Sequence, residues 1–442
     1  MSKVNHFQDE ALCPSPAPLN AIPKARGRGV VRVRGAVEGI GWRGPAGVSA
    51  ACCVVAWRCH WRLGSGCNAP PGGGRPDVTP REESSMKCVF ILGAGASREG
   101  GGPLMGDFLD KADELRRLQA EGVQEAGTSF DNVFSAISEL QGVYSKSYLD
   151  LDNIEVLFGA IEMGVLLEKL GNRDSAEIEI LHNDVITLIY KTLESCIQFP
   201  ASEKRISPPK PYGAFSEILR DPRDQVRRGP PLQLGFITFN YDLALDFALH
   251  WNNIRYGYGL PGQLSQDVVP LLKLHGSINW GMCTKCQEIV PYPVGKAHFT
   301  LWPDIEYVRY NLGSTLPSRK HCETPLPLPP VIVPPTWNKT AYHGQLSSVW
   351  RHAARVLSEA ENVFVIGYSL SETDSFFRYL FALGSESKAR IKRFWVFDPD
   401  PTESVERRFR EMIGRGIENR FQFHRLKFSD AIPLIGEALR GA

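Results

Sequence analysis

A histidine, an asparagine and several small residues stand where apolar runs of this sequence stop. His275 closes the run 271–274 in Lys273-Leu274-His275-Gly276-Ser277. An imidazole titrates near pH 6.5 unperturbed, so it can take a proton near neutrality, and Gly276 leaves room for a ligand. Asn240 lies in Thr238-Phe239-Asn240-Tyr241-Asp242, just past the run 234–239. Its amide offers a donor and an acceptor without charge, which suits a ribose hydroxyl or a water. Asp242 fits a ligand contact and a helix N-cap equally well. Gly93-Ala94-Gly95-Ala96-Ser97 follows the run 87–92 and precedes a helical pattern. Glycines there let the backbone approach a phosphate, with free N–H groups at the following helix start. Gly367-Tyr368-Ser369-Leu370 and Asp398-Pro399 end two further runs and can present N–H groups or a hydroxyl to a nucleoside.

Other clusters point elsewhere. Cys283-Thr284-Lys285-Cys286 has the C-x2-C spacing of a zinc knuckle, and His321-Cys322 is the nearby candidate to complete four ligands. A structural zinc ion is one reading; a degenerate, metal-free knuckle is the other. Arg98 stands where G-x-G-x-x-G requires its third glycine, and the acids near residue 113 fall in a helical pattern. Both disfavour a hydride-transferring dinucleotide enzyme.

The elements that must position these residues alternate. Strands are expected over 87–92, 234–239, 271–274, 363–366, 394–397 and 421–426. Helices are expected over 104–118, 241–249, 346–360, 374–383, 403–412 and 431–439, with Asp374 as a cap. That alternation predicts an α/β fold, a doubly wound parallel, Rossmann-like sheet with helices on both faces. All the strand-end residues then lie along one edge, where open α/β sheets bind ligands. Three apolar stripes, through Phe130, Ile154 and Ile178, read as core-facing helices, the second capped by Asp152 or Asn153. No strand interrupts 104–197, so a helical module is inserted at about residues 110–230. Its last part, 199–231, is rich in proline and charge and reads as a loop. A small irregular Cys/Pro-rich module follows at 281–335.

Composition sets the limits. The chain has 442 residues, 43% hydrophobic and 22% charged, with a net charge of +1. No global field favours nucleic acid or a membrane surface, and no run of about 18 apolar residues could span a bilayer. Residues 1–85 hold 11 Lys and Arg against 6 Asp and Glu, and five of the ten cysteines. Rich in Gly, Pro and Arg and without period, they read as a disordered extension with no role in the fold. Met86 reads as the working start of a domain running to residue 442. With no secretory signal and no disulfide framework, a reducing, cytoplasmic setting is expected.

The ordered set Gly-Ala-Gly-Ala-Ser (93–97), Thr-x-Asn-x-Asp (238–242), Leu-His-Gly-Ser (274–277) and Gly-x-Ser-Leu (367–370) resembles the sirtuin-like family. It is most similar to the bacterial branch with a large helical insertion, over residues 86–401. The resemblance implies NAD as ligand, Asn240 orienting ribose and water, and His275 as base. It implies that Gly93, Ala94, Gly95 and Ser97 hold the phosphates, and that Ser369 and Asp398 lie near the adenosine half. Deacylases of that family carry Asp-Phe-Arg where this chain reads Asp107-Phe108-Leu109. The expected activity is therefore hydrolysis of the nicotinamide–ribose bond, which in the bacterial branch serves anti-phage defence. The alternatives are an NAD-dependent protein deacylase and a non-catalytic nucleotide sensor. NAD is the expected partner, with a second copy or a protein partner engaged through the helical insertion.

Overall fold

The computed structural model describes residues 86–120, 122–142, 148–202, 205–220, 232–296, 307–309, 316–333, 340–371, 375–385 and 389–440. The expectations for residues 1–85 and for Asp374 lie outside these.

Seven parallel strands form the centre. They are β1 (Met86–Leu92), β2 (Leu232–Thr238), β3 (Tyr256–Gly257), β4 (Val269–Lys273), β5 (Asn362–Ile366), β6 (Arg393–Phe397) and β7 (Phe421–His424). Their spatial order is β7-β6-β5-β1-β2-β4-β3, every neighbouring pair being parallel. The strands are short continuous apolar runs because both faces are covered. β1 lies at the middle and is buried along nearly its whole length. Phe90 stands in register with Phe236 and Phe364, with ring centroids 5.5 and 5.2 Å away. The chain builds outward from β1 on one side, then crosses to start again at β5. The two directions diverge between β1 and β5, and a crevice opens there at the strands' carboxyl ends.

Between β1 and β2 come a helical turn (Ala94–Ser97), a short helix over 212–219 and four longer helices. The four are α1 (Phe108–Arg117), α2 (Gly127–Gly142), α3 (Ile154–Leu167) and α4 (Ser175–Cys196). The three apolar stripes face inward: Phe130 and Val133 on α2, Leu157 and Ile161 on α3, Ile178 and Val185 on α4 are all buried. Asn153 is the N-cap of α3, accepting from the Glu155 N–H. Asp174 and Glu177 close a capping box on α4, each taking up an N–H that the helix leaves unpaired.

Two expectations are corrected. The helix expected from 104 begins at Phe108. Residues 104–107 form a turn in which the Leu104 N–H donates to Asp107 Oδ1 at 2.6 Å, so Leu104 matched the helical spacing without being helical. The stretch 199–231 is not simply a loop. It holds strands Phe199–Ser202 and Arg205–Ile206 and the helix α5 (Tyr212–Leu219). Tyr212, Phe215 and Leu219 bury one face of α5, and Phe215 sets its edge on Phe90 at 5.1 Å. That apolar face outweighs the prolines around it, so α5 belongs to the layer covering the sheet.

The remaining helices are α6 (Ala244–Trp251), α7 (Thr340–Glu359), α8 (Ser375–Gly384), α9 (Ser404–Met412) and α10 (Phe428–Arg440). Beyond β4, the described residues between 280 and 333 include the hairpins Trp280–Met282/Ile289–Pro291 and Lys320–His321/Thr324–Pro325 of a small module. Among the described residues no helix is long and apolar enough to cross a membrane.

Candidate active site

The sheet's carboxyl edge opens into a cavity of about 760 Å³, within the size range of pockets that hold cofactors. Gly93, Ala94, Gly95 and Ser97 line it from the end of β1. Asn240 and Asp242 line it from β2 and His275 from β4. Gly367, Ser369 and Asp398 come from β5 and β6. Parallel strands all end on one side, so residues up to 305 positions apart converge without any loop having to fold back.

The glycines have a reason different from the one their sequence position suggests. The Gly95 N–H donates to the Gly367 carbonyl at 2.9 Å, and the Gly93 N–H to Ile366 at 3.1 Å. A Cβ on Gly93 would stand 2.6 Å from the Gly367 oxygen, and one on Gly367, at φ +56°, 2.3 Å from the Ala96 nitrogen. Backbone meets backbone at the β1/β5 divergence, and only glycine fits. This contact builds the cavity floor, and the Gly95 amide is spent within the protein.

Beside it lies a buried polar cluster. Ser97 Oγ donates to Asp242 Oδ2 at 2.7 Å, and the Asp242 Oδ1 accepts from the Ala244 N–H at 2.9 Å. Asp242, one residue before the N-cap Leu243, thus both takes up the first N–H of α6 and anchors Ser97. Burial raises its carboxyl above the ordinary value, opposed by the Lys273 charge and the Ser97 hydroxyl. Asn240 Nδ2 donates to the Gly93 carbonyl at 2.9 Å and to Ser97 Oγ at 3.1 Å, while its backbone N–H donates to Thr238 Oγ1.

His275 is buried. Its ring stands edge-on to Phe239 at 5.1 Å, and Phe239 stacks on Tyr368 at 4.1 Å with planes 3° apart. This aromatic wall joins β2 to β5. The His275 carbonyl accepts from the Val333 N–H at 2.8 Å, and Gly276 passes so close to Val331 that a Cβ would lie 2.2 Å from its oxygen. Both contacts pin the histidine turn against the small module.

Several lining residues were not marked as ligand contacts by the sequence. Arg98, next after Ser97, faces the cavity mouth and pairs with Asp107. Leu109, by contrast, is buried in the core. Arg408 of α9 donates to the Ser369 carbonyl at 2.8 Å and, with Lys427, adds positive charge to the far end. The helical module reaches the cavity through Asn153 and Glu155, and the Ser371 hydroxyl donates to Glu155 at 3.3 Å. Asp398 is a carboxyl raised by burial.

The donor atoms of Cys283, Cys286, His321 and Cys322 lie within 4.8 Å of one another. Cys286 Sγ and Cys322 Sγ stand 3.5 and 3.6 Å from His321 Nδ1. Tetrahedral zinc with bonds of about 2.0–2.3 Å needs ligand atoms roughly 3.3–3.8 Å apart, and both His321–sulfur spacings fit. Adjacent residues of a strand point to opposite faces. Cys322 and Glu323 escape this because both adopt left-handed backbone, at φ +48° and +65°. The backbone N–H of Cys286 and then the His321 side chain lower the Cys283 thiol to about 6, favouring the thiolate form.

No protein-family model matches the sequence, and no curated protein does. Among solved structures, a Sir2 homolog–NAD complex is 15% identical, with a TM-score of 0.37 over 81% of this chain and 91% of that one. A Sir2–p53 peptide–NAD+ complex is 12% identical, with a TM-score of 0.34 over 81% of this chain and 96% of that one. Likeness this distant does not place the chain in a family.

Proposed function

We propose that this chain binds NAD along the carboxyl edge of the sheet and hydrolyses its nicotinamide–ribose bond. The observation that carries the reading is convergence. Ten residues singled out from five separate strand ends line one cavity of dinucleotide size, with an asparagine and a histidine at its centre. The ordered motifs resemble those of sirtuin-like enzymes, which supports NAD over other nucleotides.

In this reading the pyrophosphate lies over the loop 93–97, beside Arg98, and the adenosine half extends toward Ser369 and Asp398. Asn240 has both amide N–H groups committed to Gly93 and Ser97. Its carbonyl oxygen is what it offers a ligand, and it holds a water or a ribose hydroxyl by accepting. The C1′–N bond to nicotinamide breaks through an oxocarbenium-like transition state while the water oxygen bonds to C1′. His275 takes the water's proton. The pyridinium leaves as neutral nicotinamide, so no strong general acid is required. The Cys283, Cys286, His321 and Cys322 set holds a structural zinc ion that fixes the module abutting the histidine turn.

Leu109 favours hydrolysis over deacylation, because the position where deacylases carry arginine is packed into the core. Product analysis separates the two. NAD with the protein alone is expected to give nicotinamide and ADP-ribose, and His275→Ala is expected to lower the rate about 10²–10⁴-fold, as for loss of a general base. Formation of acyl-ADP-ribose from an acetylated peptide would make the chain a deacylase instead. Anti-phage defence is the setting the motif resemblance implies. Plaque counts should then rise when Asn240→Ala replaces the natural residue in a phage-challenged host.

A further inference from the structure

Tyr212 does not line the cavity, yet its hydroxyl ends at the centre of the polar cluster beneath it. It reaches there from α5, and the whole side chain is buried, with its ring edge on Phe428 at 5.4 Å. The hydroxyl stands 2.9 Å from Ser97 Oγ.

Counting valences fixes the direction of every bond. A serine hydroxyl has one proton to give and two lone pairs to receive with. Ser97 gives its proton to Asp242 Oδ2 at 2.7 Å. One lone pair receives an N–H of Asn240 at 3.1 Å. The second can only receive the Tyr212 proton. Burial, with the nearby Asp242 charge, raises the phenol well above its ordinary value, so it remains a donor at every relevant pH. The orientation of Asn240 follows from the same count. The Gly93 carbonyl accepts and cannot donate, so the amide nitrogen faces it, and the second N–H is turned to Ser97.

We infer that Tyr212 is a positioning residue: by donating to Ser97 it completes the hydroxyl–carboxylate–amide cluster that holds Asn240 with its carbonyl oxygen turned to the ligand. The inference rests on the proposed role of Asn240. Without the Tyr212 proton, one Ser97 lone pair is buried and unfilled, and Ser97 can rotate to use it. Asn240 then loses its second anchor and the amide can turn, presenting N–H where the reaction needs an acceptor. A loosened amide misplaces the attacking water more than it weakens binding of the whole dinucleotide, so the loss falls on kcat rather than KM.

The test uses the full chain as wild type, Tyr212→Phe, Ser97→Ala and the double variant. Tyr212→Phe keeps the ring and its packing, and circular dichroism and the thermal midpoint identify any variant that fails to fold. Tyr212→Phe is expected to lower kcat for nicotinamide release about tenfold with KM for NAD within about twofold. In the Ser97→Ala background the same change is expected to cost clearly less than it does alone, because Tyr212 acts chiefly through Ser97, with a lesser direct contact to Asn240. A purely structural role would give additive losses. A second readout needs no turnover: the Asn240 side-chain amide signals in an asparagine-labelled spectrum should shift and exchange faster in Tyr212→Phe. Unchanged Asn240 signals overturn the inference whether or not the chain is active, and so do additive kcat losses. A wild-type chain that releases no nicotinamide contradicts the hydrolase reading alone, and the amide signals still decide the role of Tyr212.

Discussion

Lys273 and Asp246 form an ion pair at 3.1 Å, with both side chains 1% exposed, directly behind the candidate site. Lys273 lies two residues before His275 on β4, and its ammonium also donates to the carbonyl of Asp242, two residues after Asn240. One side chain therefore ties the strand that leads to His275 to the loop carrying Asn240. Asp246 accepts in addition from the Tyr258 hydroxyl at 2.6 Å, and Asn279 donates to that hydroxyl at 3.0 Å. Replacing Lys273 with methionine fills the space but leaves the Asp246 carboxylate buried with one hydroxyl for company. Removing one partner of a buried pair costs about 3–5 kcal/mol, because the remaining charge is uncompensated. Against a typical total of about 5–15 kcal/mol, that is a large fraction of the fold's stability. Adding Asp246→Leu removes the stranded charge and should recover more than half of the loss; the unpaired Asp242 carbonyl, at about 1–3 kcal/mol, accounts for the remainder. Urea unfolding followed by far-UV circular dichroism reads both values from the midpoint at constant slope. A loss under about 1 kcal/mol for Lys273→Met, or a double variant no more stable than the single, would refute the reasoning.

Three further outcomes are expected. Gly367→Ala forces a Cβ at φ +56° into the Gly95–Ala96 backbone. It should cost about 1–3 kcal/mol and at least roughly tenfold in NAD turnover; wild-type turnover would show that the β1/β5 contact is not what requires glycine. Purified protein should hold about one zinc per chain by elemental analysis, and Cys286→Ser should lose it and unfold at lower temperature; zinc-free wild type of unchanged stability would remove the metal. His182, His352 and His424 are all lowered from their ordinary value, chiefly by burial. The unfolded chain then takes up protons first as pH falls through about 6.5, so these groups contribute stability above that pH and lose it below. Denaturation midpoints should drop between pH 7.5 and about 5.5, less steeply in His424→Gln; equal slopes would refute the assignment. The buried carboxyls of Asp242 and Asp398 shift upward and act in the opposite sense, and the comparison of slopes cancels them.

The strand-end residues were legible because each central strand is a short apolar run broken by a small or polar residue. Parallel topology alone then gathers the breaks along one edge. What the residues do to one another was not legible. The motif resemblance implies a phosphate contact for Ser97, but its hydroxyl is wholly engaged by Asp242, Asn240 and Tyr212. Asp242 was evenly divided between N-cap and ligand contact; the N-cap is its neighbour Leu243, while one Asp242 oxygen accepts from the Ala244 N–H and the other holds Ser97. Tyr212 was lost because α5 is eight residues long within a proline-rich stretch, too short for its 3.6-residue period to stand out. The His321-Cys322 pair was identifiable only by elimination, since two adjacent ligands need a left-handed turn that no residue type there announces.

The central claim is tested most directly by incubating the full chain with NAD and measuring free nicotinamide, with Asn240→Ala as the control. Nicotinamide and ADP-ribose are expected in equal amounts from the wild type and at least roughly a hundredfold less from the variant, if the proposed hold of Asn240 on the water or the ribose hydroxyl is what positions the reaction. NAD that binds the wild type yet stays intact, or release that persists in Asn240→Ala, would contradict it.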